Sequence, residues 1–128
     1  MKKFITFIVG AVVIFSGWYL YKKNISLTTK QSIKKITVSQ SITTNNHKFI
    51  SQEVVGGETA LDLLKSTTQL KTQGTGTNAY VTSINGREAK NSNKEYWALY
   101  INGKLADVGA GSYTLKNNDK IEWKIEKY

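Results

Sequence analysis

Two hydrophobic patterns divide this chain. From Phe4 to Tyr21 the run FITFIVGAVVIFSGWYLY is apolar or small, 18 residues without a charge. Further on, apolar positions alternate with polar ones. Ile36, Val38, Gln40 and Ile42 keep the period of a half-buried strand, and Phe49 to Val55 reads as a second. The polar turn Thr43-Thr44-Asn45-Asn46 between them makes the pair a hairpin. Gly56-Gly57 breaks the second strand. Thr59 then stands three residues before Asp62, the spacing of a capping box. Ala60, Leu61 and Leu64 share one face of the helix that follows, which ends near Thr67 or Thr68. A helix this short needs a sheet to lean on.

Thr72 to Asn78, TQGTGTN, reads as a flexible loop. Strand character returns at Ala79 to Ile84, before Asn85-Gly86, and at Glu95 to Ile101, before Asn102-Gly103. Asn-Gly supplies the positive φ angles of tight hairpins, so Lys104 to Val108 begins a return strand. In Ile121 to Tyr128, Ile121, Trp123 and Ile125 face one way while Glu122, Lys124 and Glu126 face the other. The order predicts an α+β fold: a mixed, β-grasp-like sheet with one short helix on one face. That module spans residues 33–128, after a polar stalk at 24–32 and an N-terminal segment at 1–23.

The N-terminal segment reads as a transmembrane helix. Its length as a helix is roughly 27 Å, close to the hydrocarbon thickness of a bilayer. Its apolar surface comes from Phe4, Ile5, Phe7, Ile8, Val9, Val12, Val13, Ile14, Phe15 and Leu20, with Trp18, Tyr19 and Tyr21 at the outer end. Such rings favour the headgroup boundary. Lys2-Lys3 and Lys22-Lys23 bracket it. A cleaved signal peptide is the rival reading, since the MKK start suits one, but small residues before a cleavage point are scarce. The expected location is a single-pass cell membrane protein with its C-terminal domain outside. Secretion after cleavage is the alternative. Counting lysines alone favours the opposite orientation.

Net charge is +9, from 18 basic and 9 acidic residues. In the module, however, lysines alternate with acids, as in Lys120 to Lys127, and Arg87 is the one arginine. That is a solvated sheet face, and no nucleic-acid partner is expected. There is no cysteine, hence no disulfide and no thiolate. His47, the one histidine, sits in a polar turn without neighbours at metal spacing, so no metal site is expected. Asp62 reads as a helix-start residue and Asp107 and Asp119 as turn residues. No nucleophile–base set assembles, and no enzyme is expected. Gly109-Ala110-Gly111 lacks the strand–helix context of a dinucleotide fingerprint.

The aromatic strand remains. Alternation puts Glu95, Trp97, Leu99 and Ile101 on one face, and Tyr96, Ala98 and Tyr100 on the other. One face fills a core. The tyrosines either cover the back of the sheet or form a platform beside the Gly109–Tyr113 loop, where apolar area with a polar tip suits recognition.

Several stretches occur in order: GETALDLL (Gly57–Leu64), VTSING (Val81–Gly86), YWALYINGK (Tyr96–Lys104), VGAGSY (Val108–Tyr113) and NDKIEW (Asn118–Trp123). Together, from about Ile50 to Tyr128, they resemble the transcobalamin-like C-terminal domain family, which bacteria carry in small secreted or surface-anchored proteins. The family's Gly-Asp before the last strand is Asn118-Asp119 here. The resemblance implies a β-grasp-like fold. In the animal cobalamin carriers the similar domain closes over one face of the corrin, opposite a larger helical domain to which no residues here correspond. Carried over, it implies a ligand-binding set of Tyr96, Trp97, Tyr100, Gly109, Ala110, Gly111, Ser112 and Tyr113, with cobalamin or another corrinoid as ligand and no other cofactor. The expected function is a membrane-anchored extracytoplasmic binding module. The alternative is a non-enzymatic cell-surface module that binds another protein through a sheet edge or the tyrosine face.

Overall fold

A computed structural model of the chain describes residues 32–43 and 46–128. The expected anchor at 1–23, nearly all of the stalk at 24–32, and Thr44-Asn45 of the first turn lie outside the described residues. Among the described residues no helix is long and apolar enough to cross a membrane.

The alternating segments become strands. β1 (Lys35–Ile42) pairs antiparallel with β2 (Ile50–Val55), Lys35 opposite Val55 and Gln40 opposite Ile50. Helix α1 (Ala60–Thr67) follows. Thr59 caps it as expected: its hydroxyl accepts from the Asp62 N–H at 3.2 Å, and the Asp62 carboxylate accepts the Thr59 N–H at 2.9 Å. The Thr59 N–H first, and then the Thr59 hydroxyl, which donates to the same carboxylate at 2.8 Å, hold the Asp62 carboxyl below its ordinary pKa. Ala60, Leu61, Leu63 and Leu64 are all buried. Each leucine contributes about 1.5–3 kcal/mol by leaving water, which makes so short a helix stable in place.

Then come β3 (Leu70–Gln73), β4 (Tyr80–Ile84), β5 (Arg87–Glu88), β6 (Glu95–Ile101), β7 (Lys104–Leu105) and β8 (Lys120–Lys127). The sequence suggested one mixed sheet; among the described residues there are two. Five strands run in the order β2-β1-β8-β6-β7, and β3-β4-β5 form a separate sheet. β1 and β8 pair in parallel at its centre, and the other pairs are antiparallel. β4 lies in the smaller sheet because the polar segment before it folds back on it. Leu70 pairs with Ile84, the Asn85 N–H reaches Gln69 O at 2.8 Å, and the Gln69 N–H reaches the Asn85 side chain at 2.9 Å. Thr72 to Asn78 is therefore not one loop. Thr72 and Gln73 end β3, and Gly76–Asn78 make a 3-10 turn. These residues are exposed and polar, so backbone pairing rather than a buried face makes them a strand.

The side of the five-stranded sheet that bears Val38, Ile42, Trp97, Leu99, Ile121 and Trp123 joins Leu61, Leu63 and Leu64 of α1 and Val81 and Ile84 of β4 in one core. The opposite side carries Tyr96, Ala98, Tyr100 and the charged residues of β8. His47 has φ of 56°, is exposed, and brings Nδ1 within 3.6 Å of Glu122.

Candidate functional site

The hairpin at Asn102-Gly103 sets the geometry of the site. Both residues have positive φ, 53° and 84°, as a two-residue turn requires. The Asn102 N–H donates to Lys120 O at 2.8 Å, and the Ala106 N–H donates to Leu99 O at 2.8 Å. In an antiparallel ladder such bonds alternate from residue to residue. Even-numbered residues of β6 therefore bond β8, and odd-numbered ones direct N–H and C=O to the outer edge. The return strand expected over Lys104–Val108 stops at Leu105. Below Ala106 nothing pairs with β6 until the Glu95 N–H meets Lys90 O at 3.1 Å. Trp97 lies between, and its backbone N–H and C=O have no hydrogen-bond partner among the described residues.

A cleft of about 230 Å³ opens at this edge, lined chiefly by Tyr80, Tyr96, Trp97, Leu105, Val108 and Gly109, with Ala110, Leu99 and Trp123 behind them. Tyr80, Tyr96, Leu105 and Val108 are 56%, 38%, 55% and 44% exposed, so the rim is apolar and open to solvent. Trp97 itself is buried, and its indole N–H donates to Arg87 O at 3.1 Å, which fixes the ring against β5. Enclosed small-molecule pockets run roughly 300–1,000 Å³. This cleft is smaller and open on one side. A wider groove, about 390 Å³, lies between Lys34, Gly56-Gly57 and Leu115–Asn117, but no aromatic ring lines it.

The Gly109–Ala110 wall is positioned by the helix. The first two N–H groups of α1, Ala60 and Leu61, donate to Tyr113 O at 3.0 Å and Ala110 O at 3.1 Å. Thr59 accepts the next two, through its hydroxyl from Asp62 and its carbonyl from Leu63. With the Thr59 N–H on the Asp62 carboxylate at 2.9 Å, all four donors left open by the helix start are used. A Cβ on Gly111 would stand 3.0 Å from Gly76 O, and one on Gly109 3.3 Å from Thr77 O. The two glycines serve a close crossing of backbones, which accounts for the GxG pattern.

The expected ligand-binding residues divide. Tyr96, Trp97, Gly109 and Ala110 meet in the cleft; Tyr100, Gly111, Ser112 and Tyr113 do not line it. Tyr100 lies on the back of the sheet, its hydroxyl 3.1 Å from Glu126 and Lys124 Nζ 4.4 Å from its ring centre. The bond to Glu126, followed by burial, raises its pKa. Tyr96 packs on Tyr128, ring centres 6.4 Å apart. Gly111 and Ser112 belong to the turn behind the wall, where the Ser112 N–H donates to Gly109 O at 2.9 Å. Tyr113 donates its hydroxyl to Asp119 at 2.8 Å, and burial, with that bond second, pushes its pKa up to about 12.

Asp119, expected as an ordinary turn residue, is buried and joins three segments. It accepts from the Asn102 amide at 3.0 Å, Tyr113 at 2.8 Å and the Lys116 N–H at 2.9 Å. One carboxylate thus ties the β6–β7 hairpin to the loop behind the cleft. The sequence reading missed Tyr80, Leu105 and Val108 as cleft residues. Their signal was weak: large apolar residues at the ends of strand patterns.

A family model described as a domain of unknown function, DUF4430, matches residues 57–127. The chain belongs to that family. Human transcobalamin-1 is 28% identical over 111 residues, covering 81% of this chain and 26% of that protein. The crystal structure of haptocorrin in complex with Cbi superposes with a TM-score of 0.65 at 26% identity, over 78% of this chain and 27% of that one. A protein from Ruminococcus gnavus ATCC 29149 superposes with a TM-score of 0.57, covering 74% of this chain and 98% of that one. Its 16% identity speaks to fold alone. This DUF4430 chain is a transcobalamin-like domain, and it spans about a quarter of the length of transcobalamin-1 and of haptocorrin.

Proposed function

We propose that this DUF4430 domain is a non-enzymatic, β-grasp-like binding module that holds one side of a corrinoid in the cleft at the β6 edge. One observation carries the reading: a domain similar to transcobalamin-1, and to haptocorrin solved with Cbi, has an open aromatic cleft with an unpaired backbone rung. A corrinoid offers a flat apolar ring fringed with carboxamides. Tyr80, Tyr96, Leu105 and Val108 suit the ring, and the Trp97 N–H and C=O suit an amide, which both accepts and donates. A one-sided contact forgoes much of the area of an enclosed pocket, so binding is weak.

Cobalamin titration of the purified protein tests this by calorimetry and by quenching of tryptophan fluorescence. Saturable binding that Leu105→Lys weakens is the expected result; no binding at millimolar cobalamin defeats it. The apolar run at Phe4–Tyr21 supports the further proposal that the module is tethered to a membrane and faces outward. Protection of the domain from added protease on intact cells contradicts that orientation. The same open rung favours one second reading, an extended peptide added at the edge. Binding of a surface protein competed by an apolar strand peptide, with no response to cobalamin, selects it.

A further inference from the structure

The opposite edge of the five-stranded sheet is also open. Gly56 extends the β1–β2 ladder, donating its N–H to Lys34 O at 2.7 Å. By the same alternation Ile50, Gln52 and Val54 bond β1, while Ser51, Glu53 and Val55 direct N–H and C=O outward. Val55 is satisfied by Glu58: its N–H donates to the Glu58 carboxylate at 3.3 Å, and its carbonyl accepts the Glu58 N–H at 3.2 Å. Ser51 and Glu53 have no such partner among the described residues. Phe49, Ile50 and Val55 beside them are 41%, 51% and 43% exposed.

We propose that β2 pairs antiparallel with β2 of a second copy of this chain, about a two-fold axis through Gln52. Self-complementarity selects this occupant. In this register Ser51 of each copy lies opposite Glu53 of the other, and the two outward residues exchange four backbone hydrogen bonds. Ile50 stands against Val54, and Phe49 against Val55. Centring the axis on Glu53 sets that carboxylate against itself, a destabilising pair. Centring it on Ser51 sets Phe49 against Glu53. The Gln52 register alone among these matches apolar with apolar and opposes no like charges. Since β2 and β7 are the two ends of the sheet order, the paired sheet leaves both β6-edge clefts uncovered. The dimer then carries two clefts, each open to a ligand of its own.

The chain contains no cysteine, so one introduced thiol reports without background. In the proposed register the two Gln52 side chains face each other as a non-hydrogen-bonded pair, Cβ atoms about 4.5–5.5 Å apart. The two Ser51 side chains are diagonal, about 7–8 Å apart, beyond disulfide reach. In full-length protein kept in mild detergent, Gln52→Cys is expected to oxidise to a covalent dimer at least several-fold faster than Ser51→Cys. Adding Glu53→Pro, which removes an outward N–H without touching the β1 ladder, is expected to slow Gln52→Cys to the Ser51→Cys rate. Equal rates for the two cysteine variants overturn the proposal, and that comparison decides even where the proline variant is unstable. So does an unchanged rate in a folded Glu53→Pro variant.

Discussion

The two edges of the five-stranded sheet present the same backbone chemistry and differ in what surrounds it. At β6, the neighbour β7 ends after Leu105, and the unpaired rung at Trp97 lies in a cleft walled by Tyr80, Tyr96, Leu105 and Val108. At β2, the unpaired residues Ser51 and Glu53 lie on a strand guarded at one end by Glu58. A walled rung suits a compact ligand that brings both an apolar body and an amide. An unwalled strand suits another strand, and natural edges are usually blunted to prevent that pairing. Open backbone alone does not define a site; the side chains around it choose the partner.

The sharpest way to break this contrast is Asp119→Ala. It strands the Tyr113 hydroxyl, the Asn102 amide and the Lys116 N–H together, and an expected loss of about 3 kcal/mol follows from removing three hydrogen bonds to one buried carboxylate. Denaturant unfolding measures the loss. Hydrogen exchange at residues 99–113 is expected to accelerate more than at β2. Equal acceleration at both edges would show that Asp119 supports the whole sheet and not the cleft side.

Gly111→Ala comes next. Its Cβ meets Gly76 O at 3.0 Å, a backbone atom that cannot swing aside. The expected cost is about 1–3 kcal/mol, with weaker ligand binding at the cleft and an unaltered Gln52→Cys oxidation rate. Thr59→Ala removes the cap that starts α1 and is expected to cost about 1 kcal/mol. Because α1 holds Ala110 and Tyr113, cobalamin affinity is expected to fall with it while β2 pairing persists.

Tyr113→Phe is a finer probe. At neutral pH it loses one hydrogen bond, about 1 kcal/mol. In the folded protein Tyr113 holds its proton to about pH 12, above the ordinary tyrosine value of 10.0. The raised pKa means the folded state binds this proton more tightly. Its contribution is complete below pH 10 and disappears as pH rises toward 12. Unfolding measured across that window is expected to fall more steeply in the native chain than in the Tyr113→Phe variant; parallel curves would contradict the assignment. The smallest effect belongs to neither edge. Lys124→Ala removes the cation above the Tyr100 ring, about 0.5 kcal/mol for an exposed pair, and leaves binding at both edges unaltered.

Much of the fold was legible before any coordinates. The capping box at Thr59–Asp62, the hairpin at Asn102-Gly103 and the alternation of Ile121, Trp123 and Ile125 are written in neighbouring residues, and the structure contains all three. The separate β3-β4-β5 sheet was not legible. Lys71-Thr72-Gln73 is polar and exposed on every side and becomes a strand through its partner β4. Nor was the role of Asp119, since a carboxylate in a turn looks alike whether water or three protein donors surround it. The cleft was half visible. Tyr96 and Trp97 stood out as an aromatic pair and Gly109–Ala110 as a glycine-rich turn, but Tyr80, Leu105 and Val108 carry no local mark of their shared location.

By itself the sequence determined the uncharged apolar run at Phe4–Tyr21, the strand faces, the helix start and the tight turns. Each depends on residues within a few positions of one another, where periodicity and side chain–backbone hydrogen bonds act. The tertiary structure decided which strands became edges, where the ladder on β6 stopped, and which donors met the buried Asp119. Those outcomes depend on pairing between residues far apart in the chain, and a backbone rung is open or closed according to whether a distant strand arrives beside it.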